Sequence, residues 1–84
     1  MKVEYQLTVS GKCPADGGRD AYLVTVHSWH TIAVEDILAA VKASVAEPAF
    51  QEIVTERISR FLGATVKTIG THSGVKVRCV CEVG

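Results

Sequence analysis

Eighty-four residues are expected to make a single domain spanning 1–84, and a chain this short buries a smaller share of its surface than a mid-sized domain, so partner subunits are an expected supplement to its core. The residues are 48% apolar and 21% charged, which excludes a disordered tail, and nine basic side chains against nine acidic ones exclude binding to nucleic acid or to a membrane surface by bulk positive charge. No apolar run approaches the roughly 20 residues of a membrane helix, and the start Met1-Lys2-Val3-Glu4-Tyr5 lacks the apolar stretch of a signal peptide, so the expectation is a cytoplasmic protein with no membrane partner.

Val3, Tyr5, Leu7 and Val9 alternate with Lys2, Glu4, Gln6 and Thr8, the period-two pattern of a half-buried strand. Ser10 to Asp20 reads S-G-K-C-P-A-D-G-G-R-D, in which Pro14 and the Gly17-Gly18 pair break the strand and leave Cys13 in a loop. β-branched and aromatic residues return from Ala21 to Trp29, which predicts a second strand paired with the first as a hairpin.

Between Thr31 and Gly63 the period lengthens. Val34, Ile37, Leu38, Val41 and Val45 share one helical face, and Phe50, Ile53, Val54, Ile58, Phe61 and Leu62 share another. Two helices follow, divided at Glu47-Pro48, with Thr31 as a cap for the first, Pro48 in the first turn of the second and Gly63 as its stop. After Gly63 the period returns to two: a strand from Thr65 to Gly70, a turn at Thr71-His72-Ser73-Gly74, and a closing strand with Val75, Val77, Cys79 and Cys81 on one face. The fold class is therefore α+β in the order ββααββ, a four-stranded antiparallel sheet with both helices on one face. Its outer strands are open edges that joining to neighbouring subunits would remove.

Three cysteines are an odd number, and Cys79 and Cys81 stand too close along a strand to bridge easily, so no disulfide framework is expected. Their C-x-C spacing fits no common zinc module, and no metal is expected. Cys79 and Cys81 read as small core hydrophobes, His27, His30 and His72 as surface histidines, and Trp29 and Tyr22 as packing aromatics that also have the shape to stack on a purine. Cys13 and Asp20 read either as a nucleophile with its acid or as an ordinary loop thiol and an ordinary strand-opening aspartate. Glu52 lies close to the apolar face of its helix, where an unpaired carboxylate is costly. Glu35 sits in a first turn, where the helix dipole favours an acid without any function.

The element order is that of the tunnelling fold (T-fold), whose subunits join sheets into a barrel and bind purine or pterin rings between subunits. Cys13-Pro14-Ala15-Asp16-Gly17-Gly18-Arg19-Asp20-Ala21-Tyr22 and the following Leu23-Val24-Thr25-Val26 resemble the cysteine-proline to aspartate segment of the QueF family. Ala33-Val34-Glu35-Asp36, Phe50-Gln51-Glu52 and Ser73-Gly74-Val75-Lys76-Val77 fall in the order and near the spacing that family shows, so the resemblance covers about residues 3 to 83. In the reductase branch a serine- and lysine-bearing run that handles NADPH follows the glutamate opening the first helix; this chain has Glu35-Asp36-Ile37-Leu38-Ala39-Ala40 there. The resemblance therefore points to the QueF-like archaeosine synthase branch, with no redox cofactor.

What the resemblance implies is an amidinotransferase that converts the nitrile of 7-cyano-7-deazaguanine (preQ0), in tRNA or DNA or as the free base, to the amidine of archaeosine with ammonia as second substrate. Cys13 would form a thioimide, Asp20 would protonate the nitrile nitrogen, and Glu52, with Glu35 and Gln51, would hold the base. Such a thiol must be partly ionised and exposed, which a polar loop bearing Lys12 and Arg19 encourages. Gln51 stands where the family usually has a histidine, and an amide cannot shuttle a proton near neutral pH. A symmetric homo-oligomer would gather Lys12, Arg19, Lys67, Lys76 and Arg78 into local basic patches for a nucleic acid. The alternatives are NADPH-dependent reduction of the nitrile and a non-catalytic purine or pterin binder of the same fold.

Overall fold

A computed structural model describes residues 1–83, and in it the first alternating stretch forms β1 (Val3–Lys12). β2 (Arg19–Ser28) starts two residues before the expected Ala21, because Lys12 pairs with Arg19 and Gly11 with Asp20 at the mouth of the hairpin. Asp20 thus belongs to the strand and not to the loop. The two helices follow as α1 (Val34–Ser44) and α2 (Gln51–Leu62), and the chain closes with β3 (Thr65–His72) and β4 (Val75–Cys81).

The four strands form one antiparallel sheet in sequence order, with β1 and β4 at its edges. Both helices lie over one face, α2 against β3 and β4 and α1 against α2. Tyr22, Val24 and Val26 from β2 and Val66 from β3 point into that layer and meet Ile37 and Val41 of α1 and Val54 and Ile58 of α2. Strand alternation supplies one apolar row per strand and the 3.6-residue period supplies one stripe per helix, so the two layers cover each other.

Helix boundaries depart from the sequence reading at three points. Thr31 does not cap α1: the N-cap is Ala33 in extended conformation, with no side-chain cap hydrogen bond, and Thr31 lies two residues upstream. Pro48 is not in the first turn of α2, which starts at Gln51 with Phe50 as N-cap. The Ala49 N–H donates to the Lys12 carbonyl at 3.2 Å, and this tie to the end of β1 holds the approach to α2 away from helical geometry. The expected stop does occur, with Gly63 in the left-handed conformation that suits a residue without Cβ. At the last hairpin β3 runs on to His72, so the turn is only Ser73-Gly74, both at positive φ, the conformation favoured for two-residue hairpin connections.

The helical stripes are wider than the surface beneath them. Val34 and Leu38 of α1 and Phe61 of α2 stay more than half exposed, as does Val75 on β4, where Val77, Cys79 and Cys81 are half-buried. Among the described residues no helix is long and apolar enough to cross a membrane.

Candidate active site

The loop after β1, the start of β2, the first turn of α2 and the end of β3 converge on one cavity of about 260 Å³. Its walls include Cys13, Asp20, Tyr22, Gln51, Glu52 and His72. These residues are scattered along the chain, and the sheet order brings them together: β2 lies next to β3, and α2 crosses β3 with its N-terminal end toward the cavity.

Cys13 is 5% exposed, a departure from the exposed thiol expected of a polar loop. The loop folds back on itself: the Cys13 N–H donates to the Gly18 carbonyl at 2.7 Å and the Gly17 N–H donates to the Cys13 carbonyl at 2.9 Å. Backbone closure turns the thiol inward, so it meets the cavity instead of bulk water. At the tip, the Gly18 N–H, 2.8 Å from Oδ1, holds the Asp16 carboxyl below its ordinary range; burial opposes this, and the Cys13 thiol and the charge on His72 add to it.

Asp20 and Tyr22 are alternate residues of β2 and share its helix-covered side. Tyr22 is 4% exposed, and burial pushes its phenol above the ordinary range, with the charges of Asp20, Cys13, Glu52 and Cys79 adding to the effect. The phenol therefore stays protonated at neutral pH.

Gln51 is fixed from the sheet side. Its amide nitrogen donates to the Val77 carbonyl at 3.0 Å, to the Thr68 hydroxyl at 3.1 Å and to the Thr68 carbonyl at 3.3 Å. The Thr68 and Thr55 hydroxyls are 2.6 Å apart, and Thr55 donates to the Gln51 carbonyl at 2.8 Å. With Thr55 donating there, the Thr68 proton must point at Thr55, which leaves the Thr68 oxygen to accept from Gln51. Every hydroxyl in this ring has one defined role, so the start of α2 is bolted to β3 and β4 with its buried polar groups satisfied. Glu52, the next residue, lines the cavity but is exposed, so the cost of a buried carboxylate expected from its apolar neighbours does not arise.

Gly70 lies against two residues of the wall, Tyr22 and Gln51. It pairs directly with Tyr22 across β2 and β3, and a Cβ there would stand 2.7 Å from Cδ1 of Tyr22 and 3.2 Å from Oε1 of Gln51. Gly70→Ala is expected to destabilise the fold by about 1–3 kcal/mol through overpacking, read as a lower urea midpoint with an unchanged m-value. An unchanged midpoint would mean that the tyrosine ring moves aside freely.

Of the residues singled out in the sequence, Cys13, Asp20, Gln51 and Glu52 line this cavity together. Glu35 does not: it is exposed in the first turn of α1 and is absent from the cavity wall. Trp29 is not a packing aromatic; it is 71% exposed and lines a separate cavity of about 490 Å³ beyond the far end of β2, with His27 and His30. His72 is exposed, as read from the sequence, yet it stands on the wall beside Asp20, with Nδ1 4.0 Å from Oδ1. The signal available for it was alternation, since Val66, Thr68, Gly70 and His72 fall on one side of β3. Among the described residues no group of three His, Cys, Asp or Glu side chains stands close enough to hold a metal ion.

No family model matches this sequence, and no curated protein matches it at a significant level. Among solved structures, the crystal structure of the archaeosine synthase QueF-Like in its apo form superposes with a TM-score of 0.81, over 99% of this chain and 94% of that one, at 17% sequence identity. The chain has the fold of that protein, the tunnelling fold.

Proposed function

We propose that this chain is a nitrile-modifying enzyme of the amidinotransferase kind, which converts 7-cyano-7-deazaguanine held in a nucleic acid to the amidine of archaeosine. The observation that carries the reading is the meeting of a buried thiol, a carboxyl and a second carboxylate around one cavity, in a fold shared with an archaeosine synthase. Cys13 adds its sulfur to the nitrile carbon while Asp20 delivers a proton to the nitrile nitrogen and recovers the thiol proton, giving a neutral thioimide. Ammonia then displaces sulfur, so no electron donor enters and no redox cofactor is required. Glu52 accepts hydrogen bonds from the ring N–H and exocyclic amine of the base, a pair of parallel donors that suits a carboxylate. The Tyr22 phenol and the free Oε1 of Gln51 border the same space.

Glu35 is too far round the molecule to share this cavity within one subunit, so in this reading it acts from a neighbouring one. The exposed Val34, Leu38 and Phe61 and the open edges of β1 and β4 support a homo-oligomer.

The test is incubation with free 7-cyano-7-deazaguanine followed by intact-mass measurement under denaturing conditions. A one-to-one gain equal to the whole base, discharged by ammonium as the amidine, is the expected result. Discharge by NADPH as an amine would make the chain a reductase, and reversible binding without a mass gain would make it a binder only.

A further inference from the structure

We infer that His72 is a catalytic residue of this site, the base that takes the proton from ammonia as it displaces Cys13; the inference rests on the function proposed above. The first half of that reaction leaves Asp20 as it began, but the second half poses a different problem. When the lone pair of ammonia forms the new carbon–nitrogen bond, the attacking nitrogen carries a surplus proton, and the carbon–sulfur bond breaks with its electron pair on sulfur. A group must accept the proton from nitrogen and return it to the Cys13 thiolate, so that thioimide and ammonia become amidine and thiol with nothing left over.

The cavity holds few groups able to do this near neutral pH. The Gln51 amide is committed to the sheet and does not ionise. Burial keeps the Tyr22 phenol protonated. Glu52 is engaged with the base, Asp20 ends the first half-reaction holding the proton it recovered from the thiol, and an imidazole is the side-chain type that exchanges protons between about pH 5 and 8. Among the described residues His72 is the one imidazole on the wall, at the end of β3 on the side of the buried Thr68 and Gly70. Its Nδ1 faces Asp20 at ion-pair distance, which leaves Nε2 as the nitrogen free to meet the incoming ammonia.

Of the titratable and charged groups on the ring's side, Cys13 and Asp16 belong to the loop after β1, Asp20 and Tyr22 to β2, and Glu52 to α2, while Lys76 of β4 pairs with Thr71 and lies on the opposite face of the sheet. Three of these groups, Asp16, Asp20 and Glu52, are carboxyls. High exposure fits the role as well, because ammonia has to reach the ring from solvent.

The experiment separates the two half-reactions. Wild-type and His72→Gln protein are loaded with 7-cyano-7-deazaguanine, and the mass gain is followed; ammonium is then added across pH 5.5 to 8, with rates expressed per free ammonia. The expected result is normal loading by the variant, amidine release slowed by about 10²-fold, and loss of the pH dependence that wild-type release shows in this interval. Equal release rates and equal pH profiles overturn the role of His72 while the proposed function stands. A variant that fails to load also overturns it, because His72 would then act before ammonia arrives. No loading by the wild type overturns the proposed function and this inference with it.

Discussion

Cys13→Ala protein is expected to gain no mass from 7-cyano-7-deazaguanine and to release no amidine, a complete loss and not a slowing. The backbone around this position supports a chemical reading of that loss. The two closing hydrogen bonds use the main-chain N–H and carbonyl of residue 13, which alanine keeps, and the side chain removed is a small one facing a cavity. The variant should therefore fold, with an unfolding midpoint close to the wild type, and still bind the base reversibly through Glu52. Calorimetric titration with the base measures that retained binding. A mass gain persisting in Cys13→Ala would move the nucleophile to Cys79 or Cys81, which lie half-buried on β4. Cys13→Ser tests the chemistry more finely: it restores a hydrogen-bonding group of similar shape but not a nucleophile that ionises near neutrality, so it too should fail to load.

Asp20→Asn carries the second large effect. The asparagine side chain keeps the size of the aspartate and its place in β2 opposite Gly11 but has no acidic proton for the nitrile nitrogen. Loading should slow by about 10² to 10⁴-fold, the usual range for removing a positioned general acid. Stopped-flow or quench sampling of the mass gain measures it. The effect is expected on loading, in contrast to that of His72→Gln on release, so the pair of variants assigns one proton to each half-reaction. Slowing of release alone in Asp20→Asn would reassign Asp20 as a group that merely orients His72 across the 4.0 Å gap.

Much of the architecture was legible because it follows from period. Val3 to Val9 alternate, Val34 to Val45 and Ile53 to Leu62 keep the helical spacing, and the return to alternation after Gly63 closes the sheet. What misled was local chemistry read without its tertiary partner. Thr31 has the right side chain to cap a helix, but the chain there stays extended until Ala33. Pro48 suits a first turn, but the hydrogen bond from Ala49 to Lys12 delays the helix by a further stretch. The same distinction governs the site. Cys13 and Asp20 stand close together in sequence, and the short loop does bring them to one cavity although Asp20 belongs to β2; the burial argument for Glu52 fails, because Glu52 and Ile53 are both exposed. The inward turn of the Cys13 thiol is set by backbone hydrogen bonds that polar composition does not reveal. The ring of Gln51, Thr55 and Thr68 needs α2 laid on β3, and His72 joins the cavity because β3 runs past the expected turn. Glu35 rests on motif order alone, and no physical argument puts it near the others within one subunit.

The mouth of the first hairpin has a consequence for how this sequence can vary. Lys12 pairs with Arg19, so the loop of residues 13–18 acts as a ruler between the thiol and the carboxyl. Point changes at Ala15 alter one exposed side chain at the edge of the cavity and leave the strand register in place, whereas inserting or deleting one residue must either distort the loop or slide β2 by one step against β1. A one-step slide sends Asp20 and Tyr22 to the open face of the sheet and presents Ala21 to the cavity instead. At Pro14 and Ala15, length is thus under tighter constraint than composition, and a library that keeps Cys13 and randomises these two exposed positions should keep far more competent variants than one that changes the number of loop residues.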